Sequence, residues 1–507
     1  MLPPSMHEIS RPPREFEVVR DPLWNTIRLD PVAVRIIDSA AFQRLRLIRQ
    51  LGLAYLVYPG AQHSRFDHAL GVYHLARWAL GMLAERGELD GIDPVDCRLA
   101  PYAALLHDIG HYPFSHALEE LDSERVPQHH EALTERFLAS PALRRVLEDE
   151  VRPLLAEYWE AGEFPYQVAP SLHGLDLMSP PELTADGAQP RSLYHGFRIF
   201  ELARTDASVA TFYTAQAGLF RTACRVGGTP EQFAQWDPRI TSFEMTGVFC
   251  LTEPEHGSDI AGGLATTARR EGDEWVLTGT KRWIGGAFTA DLLAVFARDE
   301  ADGQVKGFLV DRQAPGVRLE KIHGKTSLRM MQNADIHLDG ARVPEAQRLG
   351  NVNSFKDVAA MLRAMRSDVA WIATGIQAGA YEAALRYVRE REQFGRPIGG
   401  FQLVQEKLAR MLGNVTASLT MVAGLAERQE GGVYRDEDSA LAKMWISLHM
   451  RETVALAREL VGGNGITLAH DVARFHADAE AIYSYEGTHE INALVVGRSL
   501  TGRSAFA

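Results

Sequence analysis

The 507-residue sequence has only three cysteines, Cys97, Cys224 and Cys250, and they are scattered along the chain. An odd number of widely separated thiols excludes the disulfide framework that small secreted domains use. The pattern favours buried free thiols in a reducing compartment. We therefore expect the protein in the cytoplasm.

The sequence also lacks an uninterrupted apolar run of bilayer length, and its opening residues, MLPPSMHEISRPPREF, contain no apolar signal core. Positive charge is in deficit, because 53 Lys and Arg stand against 66 Asp and Glu, a formal net charge of -13. This balance excludes a general nucleic-acid surface. We expect neither a membrane nor a nucleic-acid polymer as partner.

What is present is an ordinary globular composition that changes along the chain, so several domains are expected. Helical spacing of apolar residues dominates the first 160 residues, and a dense group of prolines follows. Short β-rich runs then stand between two helical stretches. The predicted divisions are a helical domain 1–160, a Pro-rich linker 161–194, a short helical part 195–246, a β domain 247–350 and a helical domain 351–507.

The first group of chemistry-bearing residues is rich in histidine and aspartate. The motif LLHDIGHYPFSH places His107 beside Asp108, and HSRFDHALGVYHL supplies His68. Nitrogen and carboxylate ligands that converge from several helices suit a divalent cation. A lone histidine is more often an ordinary surface or core residue. The cluster, not any single member, predicts the metal site.

These motifs, together with HHEALTERFL, resemble the HD-domain phosphohydrolases over about residues 16–145, and deoxynucleoside triphosphohydrolases in particular. The resemblance implies metal ligands at His68, His107 and Asp108, and phosphate-handling histidines at His111 and His130. The fourth ligand of that family lies in a later helix. Here GLD offers Asp176, which is either that ligand or a residue of a Pro-rich loop, and the sequence then departs from the family pattern.

Five motifs of the second half share features of a flavin site. FCLTEPEHGSD is a strand-to-loop segment of small and hydroxyl residues, KRWIGG carries an aromatic for a flat ring, and REQFGRPIGGFQ carries a cation for phosphate. ELVGGNGI is a Gly-rich turn that a simple helix stop also explains. AIYSYEGTHEIN places Glu486 among aromatics, and desolvation there makes a carboxylate a stronger base.

In this order the motifs resemble the acyl-CoA dehydrogenase family, near its glutaryl-CoA branch, over about residues 195–505. The resemblance implies a multidomain, mainly α architecture, in which an all-α HD-like bundle precedes helices, a β-barrel-like middle domain and a four-helix bundle. It also implies oxidation of the α,β bond of an acyl-CoA thioester, with Glu486 as the base and FAD as the hydride acceptor. The residues implied for FAD are Phe249, Leu251, Thr252, Ser258, Trp283, Ile284, Arg391, Phe394, Gln402, Gly462, Gly463 and Thr488, with Gly285 beside Trp283. Those implied for the substrate are Ser258, Arg366, Gly487 and Arg498.

The resemblance further implies a homodimer or homotetramer that shares FAD between subunits, and electron-transfer flavoprotein as the electron acceptor. Two departures stand out: Gly285 replaces a frequent Thr, and Ala210 replaces the Arg of glutaryl-specific members, which favours an uncharged acyl chain. Both halves look shortened where they meet. Three hypotheses follow: an active dehydrogenase, which we favour, a metal-dependent phosphohydrolase acting on nucleotides, or a chain with no enzymatic activity.

Overall fold

The computed structural model of the chain describes residues 17–21, 24–50, 63–89, 92, 94–110, 141–180, 183 and 192–504. These residues fall into two compact units, unit 1 over residues 1–142 and unit 2 over residues 143–507. His111 and His130 lie outside the described residues.

The described part of unit 1 is mainly helical, as predicted, but it opens with an antiparallel hairpin. The elements are β1 Glu17–Asp21, β2 Asn25–Leu29, α1 Pro31–Ile37, α2 Ala40–Gln43, α3 Arg65–Glu85 and α4 Pro94–Leu106. The side chain of Asp30 caps α1 and also accepts hydrogen bonds from the hydroxyls of Tyr73 and Tyr102, at 2.8 and 3.0 Å. Ser64 and Asp67 form a reciprocal capping box that fixes the start of α3.

Unit 2 begins with a series of helices, and a sheet follows them in the chain. The first helices are α5 Pro141–Arg145, α6 Leu155–Ala161, α7 Ala169–His173, α8 Ser192–Thr205, α9 Ala207–Thr214, α10 Arg221–Gly227 and α11 Pro230–Thr241. Two π-helical segments interrupt this series, at Val146–Val151 and at Ala215–Phe220.

The middle of unit 2 is a seven-stranded sheet, which confirms the predicted β domain. Its strands are β3 Gly247–Cys250, β4 Thr267–Glu271, β5 Glu274–Gly285, β6 Leu292–Asp299, β7 Val305–Asp311, β8 Val317–Lys321 and β9 Asn333–Pro344, with the short helix α12 Ile260–Gly263 between β3 and β4. Strand β6 pairs in parallel with β3 and then β4 along one edge, and antiparallel with β7 along the other. The long pair β5–β9 is antiparallel, and β8 continues the sheet.

Long helices close unit 2. They are α13 Phe355–Glu390, α14 Gln402–Glu430, α15 Asp436–Val461, α16 Val472–Ser484 and α17 His489–Thr501, with the small hairpin β10 Glu392–Gln393 and β11 Arg396–Pro397 after α13. Of the described helices, α14 alone is long and apolar enough to cross a membrane by length and composition, a test that core helices of other proteins also pass. Its residues Met411 and Val422 are buried in the helical core.

The prediction of a linker over residues 161–194 is wrong for its first half, which is part of the hydrophobic core of unit 2. Phe164, Val168 and Leu172 are buried in the same core as Ile199 of α8. Pro170 lies in the first turn of α7, where its missing N–H is no loss, so this proline begins a helix and does not break one. The unit boundary therefore falls at residue 142 and not at 160.

Candidate functional site

A cavity of about 770 Å³ lies in unit 2. Its walls come from the sheet, from α9 with the π segment that follows, and from the turn between α16 and α17. The predicted site residues that line it are Phe249, Thr252, Ser258, Trp283, Gly285, Glu486, Gly487 and Thr488. Motifs that are far apart in the sequence thus meet in one cavity.

The turn that carries Glu486 has an unusual backbone. Helix α16 ends because Tyr485 is extended, and the next two residues are left-handed, with φ of 51° at Glu486 and 89° at Gly487. A left-handed conformation is uncommon for a residue other than glycine, and where it occurs it often marks a functional position. Thr488 then caps α17 by accepting a hydrogen bond from the amide of Ile491 at 3.3 Å. The turn presents the carboxyl of Glu486 to the cavity.

Charge and burial make Glu486 a stronger base than an ordinary glutamate. Burial raises the pKa of Glu486 to about 8, the carboxylate of Asp368 adds to this shift, and Lys443 and Arg366 oppose it. Asp368 is itself buried, and its Oδ1 lies 3.1 Å from Nε2 of His195. A raised pKa increases the affinity of this carboxylate for a proton, which suits proton abstraction.

Lys443 on α15 is a residue that the sequence analysis missed. Its ammonium donates hydrogen bonds to the carbonyls of Tyr483 at 3.0 Å and Tyr485 at 2.9 Å, and to that of Gly487. Burial lowers the pKa of Lys443 to about 8, while the charge of Glu486 acts in the opposite direction. No spacing within the motif pointed to this lysine, because it lies on another helix and acts on backbone atoms.

Trp283 owes its position to an irregularity of β5. The register with β9 shifts between Lys281 and Ile284, and Trp283 at this bulge has a φ of 66° and is 52% exposed. Bulges redirect side chains beside functional sites. Asn333 fixes the bulge, because its Nδ2 donates to the carbonyl of Trp283 at 2.9 Å. Lys325, a second missed residue of the cavity wall, donates to Oδ1 of Asn333 at 2.6 Å.

The glycine at position 285 keeps the wall beside Trp283 free of side chain. A Cβ there would lie 2.6 Å from Cε of Met331 and 3.4 Å from Nδ2 of Asn333. The frequent Thr of the family would therefore displace the end of Met331. A flat ring system fits a wall of this kind, with an exposed indole and a stretch of bare backbone beside it.

A buried ion pair fixes the loop that follows β3. Nζ of Lys281 lies 2.8 Å from Oε1 of Glu253, and Glu253 also accepts from the amides of Ala265 at 2.7 Å and Thr266 at 2.9 Å. Burial tends to raise the pKa of Glu253, but the ion pair and these hydrogen bonds lower it. The strand-to-loop segment is thus held rigidly against β5.

Other predicted residues lie away from this cavity. The side chains of Leu251 and Ile284, two predicted FAD contacts, are buried in hydrophobic cores. At these two positions only the backbone is left to contact a ligand. Arg498 lines a separate cleft of about 410 Å³, together with Arg363 and Arg435. The predicted residues that lie on neither cavity wall are Arg366, Arg391, Phe394, Gln402, Gly462 and Gly463.

In unit 1 the structure brings His68, His107 and Asp108 together, with potential ligand atoms within 4.8 Å of one another. Asp108 is buried and also pairs with Nη1 of Arg65 at 3.0 Å. Burial lowers the pKa of His68, although the charge of Asp108 opposes this, and a lowered pKa favours the neutral imidazole that binds metals. Asp176 belongs to unit 2, and its role as a fourth ligand stays a prediction.

Comparison with known proteins relates this arrangement to enzymes. Family models for the acyl-CoA dehydrogenase N-terminal, middle and C-terminal domains match residues 135–244, 248–341 and 355–501. The chain is 31% identical over 364 residues, 96% of the relative's length and 70% of this chain, to a 3-(aryl)acrylate reductase from Clostridium sporogenes. The chain belongs to the acyl-CoA dehydrogenase family.

Two further relatives agree with this membership. The short-chain specific acyl-CoA dehydrogenase of Bos taurus mitochondria is 31% identical over 91% of its length and 75% of this chain. A glutaryl-CoA dehydrogenase from Mycobacterium smegmatis, solved in complex with FADH2, has a TM-score of 0.69 and 30% identity over 99% of its chain and 77% of this one. The HD domain family model matches residues 65–161.

These comparisons confirm the predicted fold class and an oxidoreductase of the acyl-CoA dehydrogenase family that carries an HD domain. They correct one expectation. The N-terminal domain model starts at residue 135, so residues 195–246 are not the whole of this domain in the chain. The helices of residues 143–180, first interpreted as HD domain and linker, belong to the dehydrogenase core.

Proposed function

We propose that the protein is an FAD-dependent acyl-CoA dehydrogenase in which Glu486 removes the α-proton of an acyl-CoA thioester. The observation that carries this proposal is a carboxyl with a pKa raised to about 8, held by a left-handed turn at the wall of a cavity of about 770 Å³. FAD, when bound, supplies the acceptor for the β-hydride. The predicted flavin residues that line this cavity fit a flat ring, because Gly285 leaves the wall beside Trp283 open.

The chain's own residues account for the proton transfer. Glu486 must be ionised to accept the α-proton, and the proton then stays on its carboxyl. Apolar and small groups such as Ala215, Leu219 and Phe249 line the cavity and reduce its water content. Thr211 and Thr488 line the same wall, where the hydroxyl of Thr211 donates to the carbonyl of Ala207 at 2.8 Å and that of Thr488 caps α17.

The substrate is an acyl-CoA whose acyl chain carries no charge. Ala210 is buried in α9, and its methyl side chain carries no charge. Glutaryl-specific members of the family have Arg at this position. A distal carboxylate would be left unpaired beside Ala210. We assign the cytoplasm as the compartment, and electron-transfer flavoprotein as the acceptor of electrons.

The functional form is a homodimer or homotetramer that shares FAD across an interface. Phe394 is 94% exposed and has a φ of 54°. Leu403 and Ile466 are 78% and 72% exposed, and both are close in sequence to predicted FAD residues. Apolar side chains this exposed at predicted cofactor positions are expected at a contact with a second copy.

The experiment is a comparison of flavin bleaching in the purified proteins. The wild-type protein should be yellow and lose its visible absorbance when uncharged acyl-CoA thioesters are added without oxygen. Glu486→Gln should keep the yellow colour but bleach roughly 10²–10⁴-fold more slowly, because it removes the base. Glu300→Gln, at an exposed position of the β6–β7 turn, is the control and should bleach at the wild-type rate.

A second activity, metal-dependent phosphate ester hydrolysis, is favoured by the His68, His107 and Asp108 cluster. With added Mn²⁺, the protein should bind the metal and release phosphate from nucleotides, and His107→Ala should lose both properties while it retains flavin bleaching. His470→Ala, a histidine of unit 2, is the control. Metal binding that is unaffected by His107→Ala would remove this candidate.

A further inference from the structure

Lys443 is a buried cation whose hydrogen bonds all go to one turn. It is 1% exposed, near the start of α15. A lysine ammonium has three N–H donors. They go to the backbone carbonyls of Tyr483, Tyr485 and Gly487. Among the described residues no carboxylate lies within ion-pair distance of its Nζ. Its contacts are therefore with the backbone on both sides of residue 486.

The turn depends on such a donor group. Helix α16 ends at the extended Tyr485, left-handed residues follow at 486 and 487, and the last carbonyls of the helix lose their helical partners. Carbonyls that converge on one point repel one another unless a donor lies between them, and unpaired buried carbonyls are costly. Asn492 of α17 assists, because its Nδ2 donates to the carbonyls of Gly487 and Thr488 at 2.9 Å each. Lys443 joins the turn to α15 through the backbone.

The position of Lys443 on α15 also makes the turn at Glu486 more rigid. Helix α15 packs against α13 through buried residues such as Ile446 and Met450. A cation carried by such a helix ties the backbone on both sides of residue 486 to the helical core. Catalysis depends on such placement, since a misplacement of about 1 Å costs about 10²-fold in rate.

We propose that Lys443 is a positioning residue that holds the catalytic turn through three backbone carbonyls, so that the carboxyl of Glu486 faces the α-carbon of the substrate. This inference rests on the proposed function, in which Glu486 is the base. The lysine touches no reacting atom and acts through the backbone. Its charge also favours the ionised form of Glu486, together with Arg366 and against Asp368.

The test compares Lys443→Met, which removes all three donors and the charge, with Lys443→Gln, which keeps an N–H₂ group without charge. Lys356→Met, at an exposed position of α13, is the control. We expect Lys443→Met to keep its flavin and its Kd for acyl-CoA, and to bleach about 10- to 100-fold more slowly. The acid limb of its rate profile should move to higher pH. Lys443→Gln should recover part of the rate but not the position of the limb.

The outcomes separate this inference from the function on which it rests. If Glu486→Gln slows bleaching but Lys443→Met does not, the function stands and the positioning role is overturned. If Glu486→Gln bleaches normally, the proposed function itself fails. If neither Lys443 variant yields flavin-loaded protein, Lys443 serves folding as a whole, and the positioning role is again overturned.

Discussion

At the scale of single residues, burial is the largest cause of the raised pKa of Glu486, and charged neighbours adjust it. Asp368 raises the pKa of Glu486, whereas Arg366 and Lys443 lower it. Since only the ionised carboxylate accepts a proton, activity should rise with pH through the pKa of about 8 in the free enzyme. We therefore expect activity to be lost on acidification because Glu486 becomes protonated.

Asp368→Asn tests this electrostatic account. Removing the negative charge should lower the pKa of Glu486, so the acid limb of kcat/KM moves to lower pH, by an amount read directly from the pH–rate profile. Asp273→Asn, at an exposed position of the β4–β5 turn, should leave the limb in place. An unchanged limb in Asp368→Asn would contradict the assigned coupling.

At the scale of elements, the sequence predicted the second half well because its motifs are local. The Gly-rich and acidic turns between strands carry their own signals, and β3 to β9 form where β-rich runs were predicted. The turn at Glu486 was located from one short motif. Lys443 and Asn333 could not be found this way, because each acts on a backbone segment distant in sequence.

Residues 143–178 were harder to interpret, since prolines mark both chain breaks and helix starts. The structure resolves this through long-range contacts. Arg152 pairs with Asp471 at 2.6 Å, and the indole of Trp159 donates to Asp478 at 3.1 Å. Such partners lie more than 300 residues away in the chain, beyond the reach of any local pattern.

Leu155→Ala tests whether this segment is core. Leu155 is fully buried in the core of unit 2, so the variant should lose about 2–5 kcal/mol of stability and release its flavin at a lower temperature. Glu157→Ala, exposed on the same helix, should melt as wild type does. A linker residue would tolerate either change, and equal melting of the two variants would restore the linker interpretation.

At the scale of the whole molecule, the chain joins a metal-ligand cluster in unit 1 to a dehydrogenase cavity in unit 2. The family resemblance predicted both halves. Assembly was predicted only from that resemblance and stays a prediction. The structure adds the exposed apolar side chain of Phe394, in the turn between β10 and β11.

Phe394→Ala tests the shared cofactor site. Loss of this ring should weaken both the assembly of subunits and the retention of flavin. On dilution, the variant should therefore dissociate to monomers and lose its flavin at a higher protein concentration than wild type does. Val433→Ala, 55% exposed in the loop after α14, is the control. Flavin loss without any change of sedimentation would show that Phe394 does not act across an interface.

The central claim is that Glu486 takes the α-proton of an acyl-CoA thioester. The most direct measurement is the anaerobic bleaching rate of the flavin in wild-type, Glu486→Gln and Glu300→Gln proteins with the same saturating substrate. The account predicts fast bleaching in the first and third, and a loss of roughly 10²–10⁴-fold in the second with unchanged flavin content. Equal rates in all three proteins would contradict it.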